Sequence, residues 1–140
     1  MRGKTVLVTG GTGSIGQKLT ERIFKKRPKK VIVFSRDEAK QVDMQLKFPN
    51  PGYPVRYILG DIRDRERLYR AFKDIDIVLH TAALKHVPKC ERDPFEAVKT
   101  NVIGAQNIID AAIDRKVKKV LAISTDQMLI LAMIKYLTDI

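Results

Sequence analysis

The sequence predicts an α/β fold: a doubly wound parallel sheet of about five strands, in the order 3-2-1-4-5, with helices on both faces. Three observations predict it. Short apolar runs alternate with longer amphipathic stretches in a βαβαβαβαβ pattern, as in a parallel sheet covered on both sides. The first apolar run leads straight into a glycine-rich turn and then a helix. The 140 residues, 44% of them hydrophobic, suffice for one core and one domain over residues 1–140.

Each element has its own signal. Val6 to Thr9 reads as strand one, followed by the glycine loop and a helix from Ser14 to Lys26. Val31 to Phe34 is strand two, and Glu38 to Phe48 the second helix. The segment PNPGYP, residues 49–54, then breaks the pattern, because prolines and a glycine so close together enforce a turn. Val55 to Leu59 is strand three. Arg65 to Phe72 follows as a short helix, with Leu68 and Phe72 spaced i, i+4 on one face. Ile77 to His80 is strand four, Pro94 to Arg115 a long helix, and Val120 to Ser124 strand five. The tail differs: Met128 to Ile134 is wholly apolar and is expected to pack on the sheet or on a neighbouring subunit.

Composition removes several classes of function. A single cysteine, Cys90, leaves no disulfide framework and no cysteine-based zinc site. Two histidines, His80 and His86, without a third ligand do not make a metal site, so no metal is expected. No apolar run reaches the length of a membrane span, and no signal peptide is visible, so a cytoplasmic setting is expected. Charge is the outlying property: 27 Lys and Arg against 16 Asp and Glu give +11. Such a balance favours polyanions or phosphate-bearing small molecules, and a lysine-rich solubilising surface explains it equally well. Lys25, Lys26, Arg27, Lys29 and Lys30 form one cluster between elements. No zinc-finger, KH or RNP signature accompanies the charge, so no nucleic-acid partner is expected.

The glycine loop is the sharpest signal. Gly11, Gly13 and Gly16 satisfy G-x-G-x-x-G, and Gly10, Gly13 and Gly16 satisfy G-x-x-G-x-x-G, between a strand and a helix. This is the Rossmann-type context, in which a helix beginning at Ser14 and Ile15 offers free N–H groups and a positive end to a pyrophosphate. A purely structural glycine turn is the competing reading. At the end of strand two stand Ser35 and Arg36 in place of the acid that NAD-preferring folds carry there. A guanidinium and a hydroxyl suit a 2′-phosphate, so NADP is expected over NAD, with NAD as the alternative. Asp37 offers Arg36 a different partner, Lys40 adds charge, and a solvated surface arginine is the competing reading for Arg36. Asp61 ends strand three, where a carboxylate accepts from an adenine amino group, and Ile62 is expected to line the ring. Beyond strand four, the small Thr81, Ala82 and Ala83 allow close approach to a nicotinamide. His80 is expected to be buried; Lys85 and His86 are placed to meet a substrate phosphate or sugar.

The motifs GGTGSIG, FSRDE, GDIRD, HTAALKHVPKCERDPFEAVKTNVIGAQNII and LAISTD resemble the nucleotide-sugar branch of the extended short-chain dehydrogenase/reductases. Within that branch the resemblance is to the UDP-N-acetylglucosamine 4,6-dehydratase group of polysaccharide biosynthesis, over residues 1–126. It implies NADP or NAD, a UDP-sugar substrate and a homo-oligomer. It also implies oxidation at C4, elimination across C5–C6 and hydride return to C6. Carried onto this chain, Lys85 and Asn101 lie near the nicotinamide and sugar, and Thr125 and Asp126 end strand five, with Asp126 as general acid at the C6 hydroxyl. Three departures stand out. Gln127 occupies the position of the family's lysine base, and an amide has no useful basicity. If about four residues are deleted, Lys135 matches the family lysine and Leu131 stands where the Tyr-x-x-x-Lys tyrosine belongs; without that deletion the pair falls on Lys135 and Asp139. The chain is also expected to lack the C-terminal region that holds the UDP-sugar in the family. A weak or inactive form is therefore expected, and a stand-alone NAD(P)-binding or assembly module is the alternative.

Overall fold

The computed structural model describes residues 1–81 and 99–122. Their order is β1 (Thr5–Thr9), α1 (Ser14–Phe24), β2 (Lys30–Ser35), α2 (Glu38–Lys47), β3 (Val55–Leu59), α3 (Arg65–Ala71), β4 (Ile77–His80), a π-helical turn (Lys99–Ile103), α4 (Gly104–Asp114) and β5 (Lys119–Ala122). All strand pairs are parallel, and the sheet order is β3-β2-β1-β4-β5, as the sequence predicts.

The centre of the sheet is buried on both faces because β1, β2 and β4 carry apolar residues at consecutive positions rather than alternate ones, whereas the edge strands β3 and β5 are only partly buried. Every residue of β1 is buried, and the pleat sends its side chains to two separate cores. On one face Leu7, Ile32, Phe34, Val78 and Val120 pack with Leu68 and Phe72 from the α3 region and with Ile108 and Ala111 of α4. On the other, Val6, Val8, Val31, Val33 and Leu79 pack with Ile23 of α1 and Met44 of α2. The register Val6↔Val31, Leu7↔Ile32 and Val6↔Ile77 keeps like faces together across three strands.

Turn chemistry sets the boundaries. The 49–54 turn is closed by Asn50 Nδ2, which donates to the Val55 carbonyl at 3.0 Å. The rings of Phe24, Phe48 and Tyr53 gather beside it, with centroids 4.8 to 5.3 Å apart. α1 stops at Phe24, before the expected Lys26, because Lys26 N–H bonds back to Ile23 in a tighter turn and Arg27 adopts φ +54°. The expected helix over 94–115 is corrected in its described part. Residues 99–103 wind as π-helix, and regular α-helix starts only at Gly104. Its first residues and the apolar tail lie outside the described residues, as do Ile123 and Ser124 of the expected fifth strand. Among the described residues no helix is long and apolar enough to cross a membrane.

Candidate functional site

The carboxyl ends of β1, β2, β3 and β4 lie side by side, tied by backbone bonds. Gly10 N–H donates to Phe34 O at 2.8 Å, Gly60 N–H to Ser35 O at 2.9 Å, and Thr81 N–H to Thr9 O at 3.0 Å. The strand order reverses between β1 and β4, and crevices at that point of an open α/β sheet are where ligands bind.

The glycine turn is built by two steric requirements. Gly10 has φ +65°, a left-handed conformation that glycine adopts without penalty. Gly16 lies on the turn so closely that a Cβ would stand 2.4 Å from Gly10 O and 2.6 Å from Gly11 Cα. Between them Gly13 N–H donates to Gly10 O at 3.1 Å, and Gly13 is the N-cap of α1 with no side-chain acceptor. Gln17 Nε2 braces the loop through Thr12 O at 2.8 Å, and Thr20 Oγ1 donates to Gly16 O at 2.8 Å. Ser14 and Ile15 are exposed at the helix start. A helix end without a capping side chain presents its N–H groups and partial positive charge outward. That is a cradle for an anion.

The second half of the site differs in part from expectation. Arg36 is half-exposed, and its Nη1 stands 3.8 Å from Asp61 Oδ2. Asp37, the other partner considered for it, instead caps α2 by accepting Lys40 N–H at 3.0 Å. Asp61 is held by a residue that sequence reasoning missed. Arg63 donates through Nη2 to Oδ2 at 2.8 Å, through Nε to both oxygens, and through its backbone N–H to Oδ1 at 2.9 Å. Burial pushes the Asp61 carboxyl upward, but the hydrogen bonds and charge of Arg63, with the charge of Arg36, outweigh it and hold the group below its ordinary value.

Two expected contacts take a different form. Ser35 is buried, and its Oγ accepts from Gln41 Nε2 at 2.9 Å, while the same amide also reaches Ile58 O at 2.9 Å. The hydroxyl thus belongs to the joint between β2, β3 and α2. Ile62 is buried too and packs against Gly104, where a Cβ would meet its side chain at 2.5 Å. Its side chain serves the core, not an open ring-binding surface. Asn107, also missed, donates from Nδ2 to the carbonyls of Ile62 at 3.0 Å and Arg63 at 3.2 Å, so α4 fixes the turn that carries Asp61. Arg63 had a visible signal, since it stands two residues after Asp61 in GDIRD. Nothing local in the sequence pairs Asn107 with that turn.

His80 is buried as expected, with Thr9 Oγ1 2.7 Å from its Nδ1. Asn101 is partly buried in the π-helical turn. Ala82, Ala83, Lys85, His86, Thr125, Asp126 and Lys135 lie outside the described residues. Among the described residues no cluster of three or more His, Cys, Asp or Glu could hold a metal ion.

The edge therefore joins an open helix end to two arginines around a carboxylate, an arrangement suited to a phosphate-bearing nucleotide. Known proteins carry the same fold. Over 125 residues the chain is 50% identical to a UDP-N-acetylglucosamine 4,6-dehydratase (inverting) of Campylobacter jejuni, covering 89% of this chain and 37% of the relative. It matches the X-ray structure of Pen from Bacillus thuringiensis with a TM-score of 0.84 and 48% identity, over 86% of this chain and 37% of that one. It also matches DesIV, a dTDP-glucose 4,6-dehydratase from Streptomyces venezuelae solved with NAD and TYD bound. There the TM-score is 0.69 and the identity 30%, over 83% of this chain and 38% of DesIV. The chain thus spans little more than a third of the length of these relatives. A sequence profile described as polysaccharide biosynthesis protein matches residues 6–131, and by that match the chain belongs to this family.

Proposed function

We propose that this chain binds a nicotinamide dinucleotide at the carboxyl edge of its sheet, NADP(H) in preference to NAD(H). In this reading it is the cofactor-holding part of a nucleotide-sugar-modifying enzyme of the UDP-N-acetylglucosamine 4,6-dehydratase kind. The observation that carries the reading is the uncapped start of α1 beside the Arg36–Asp61–Arg63 cluster. The residues fit the group. The turn at Gly10–Gly16 leaves the first N–H groups of α1 open to a pyrophosphate, and Arg36 supplies a guanidinium for a 2′-phosphate. Asp61, kept ionised by Arg63, accepts from an adenine amino group.

Held by the Gly10–Gly16 turn, Arg36 and Asp61, a bound nicotinamide would supply hydride-transfer chemistry for oxidation at C4 and reduction at C6 of the sugar. The chain's own residues would handle protons and position. Asp126 would protonate the departing C6 hydroxyl, Thr125 would hold the sugar beside it, and Lys85 and Asn101 would lie near the reacting carbons. Lys135 would stand in for the family lysine, though Leu131 supplies no phenol beside it. Gln127 cannot remove the C5 proton, so dehydration of a UDP-sugar by this chain should be negligible. The same residue favours a second reading, a non-catalytic dinucleotide-binding or assembly module, with self-association covering the β5 edge.

Fluorescence titration of NADPH and NADH tests the cofactor reading. Arg36→Asp should weaken NADPH by about tenfold or more, through loss of a charged hydrogen bond and added repulsion, and NADH by much less. Equal losses would show that Arg36 does not read a 2′-phosphate. Formation of a 4-keto-6-deoxy sugar nucleotide at an enzyme-like rate would decide for catalysis over the binding module.

A further inference from the structure

A groove of about 640 Å³ lies between α3 and the edge strand β3, away from the glycine turn. Its walls carry six cations: Lys29 and Lys30 at the start of β2, Arg56 on β3, Arg67 and Arg70 on α3, and Lys73 just beyond it. One acid, Asp74, lines it. The spacing explains the concentration. Arg67 and Arg70 are i, i+3 on one helical face, and Arg56 and Ile58 share one face of β3. The floor is apolar, formed by Ile32, Ile58 and Ala71.

Several basic side chains elsewhere are neutralised. Arg36 and Arg63 meet Asp61, Arg65 meets Asp110 at 2.7 Å, and Lys118 meets Asp76 at 3.7 Å. Among the described residues, none of the six groove cations is paired with an acid. Arg67 is nevertheless held in place, because its Nε donates to Leu59 O at 3.0 Å. Six like charges focused in one concavity repel one another and raise the local concentration of anions.

We infer that this groove binds a linear, phosphate-rich polyanion, of which inorganic polyphosphate is the simplest form. β3 beside the groove is five residues, about 16 Å, long, with Lys29 and Lys30 next to its start and Arg67 bonded to Leu59 at its end, so a chain of charges engages more of the cations than a single phosphate does. Three arginine forks suit tetrahedral phosphate oxygens. The groove offers no platform for bases. Its one aromatic, Tyr57, turns its hydroxyl to the Phe48 carbonyl at 2.9 Å and packs in the core on the opposite face. A flat bilayer does not reach the floor of such a concavity.

Calorimetric titration of the full chain with inorganic polyphosphate at two salt concentrations tests this. Binding should weaken steeply with salt, and the triple variant R56S/R67S/R70S should lose about tenfold or more. K18S/R22S/K25S, which removes the same charge from the exposed side of α1, should lose only about twofold. Equal losses from the two triple variants would overturn the proposal by showing a response to net charge alone. K29S/K73S leaves the Arg67–Leu59 bond intact and should still lose several-fold; no loss there overturns the groove assignment. Tighter binding of an oligouridylate of equal charge, or equal binding of polyglutamate, overturns the assignment to phosphate. NADPH titration of the groove variants should match the parent, which keeps this result separate from the fate of the cofactor reading.

Discussion

Among the described residues three helices start just after a strand of the same sheet, and they start in two different ways. α2 and α3 are closed by Asp37 and Asp64, whose carboxylates accept the N–H groups of Lys40 and Arg67, and each carries an acid in its first turn, Glu38 and Glu66. α1 has Gly13 as its N-cap, no side-chain acceptor and no acid in its first turn. An aspartate cap and a nearby carboxylate are the ordinary means of neutralising a helix start. The chain uses both where the helix end has only structural work, and neither where the glycine turn brings the end to the switch point of the sheet. The difference teaches that α1 is left electrostatically incomplete, as the proposed binding of a pyrophosphate there requires.

The largest way to break this contrast is to push α1 off the turn. Gly16→Val places side-chain carbons where Gly10 O and Gly11 Cα already stand, at 2.4 and 2.6 Å from a Cβ. We expect a loss of about 3 kcal/mol in stability and no measurable NADPH binding. Chemical denaturation with a fluorescence titration checks both, and normal binding by the Gly16→Val variant would mean the turn does not hold the cofactor.

A finer test makes α1 resemble its neighbours. Gly13 has φ −71°, and a Cβ there would meet Gly10 O at an ordinary 3.4 Å, so Gly13→Asp is sterically admissible. The new carboxylate should cap α1 and stabilise the fold by roughly 0.5 kcal/mol while weakening NADPH by about tenfold or more. The converse change, Asp64→Ala, should cost about 1 kcal/mol and leave NADPH binding alone. Stability and binding moving in opposite directions at Gly13, and not at Asp64, is the signature of a helix end reserved for a ligand. Both variants weakening NADPH equally would remove the distinction between the two kinds of start.

This contrast is half legible in the sequence. The glycines announce their turn because nothing else tolerates it, and the apolar runs give all five strands because a two-sided sheet leaves few polar positions. The open half of the candidate site, Gly10 to Gly16 with Arg36 and Asp61, can therefore be placed at the sheet edge from spacing. What holds it is not. Asn107 reaches the Ile62–Arg63 turn from 45 residues away, and Gln41 ties Ser35 to Ile58 across two strands. Such contacts come from how layers stack, and no local pattern encodes them. The same cause explains the two side chains that are buried instead of open: Ser35 ends β2 and Ile62 lies in the turn after β3, where the sequence does not say which side faces inward.

The smallest predicted effect separates the two regions by pH. The turn from Gly10 to Gly16 contains no ionisable side chain, whereas the turn between β3 and α3 is organised around ionised Asp61. Because Arg63 and Arg36 hold that carboxyl below its ordinary value of 3.8, its contribution to folding is fully present above that value and fades as the pH falls through the lower, folded-state value. Asp61→Asn should therefore lower thermal stability modestly at pH 7, and the gap from the parent should close as acid protonates the native carboxylate. Melting curves of the two proteins from about pH 7 down to about pH 2 measure this directly. A gap that persists undiminished at the acid end would mean that Asp61 acts through packing and not through its charge, and that the arginines around it are held by something else.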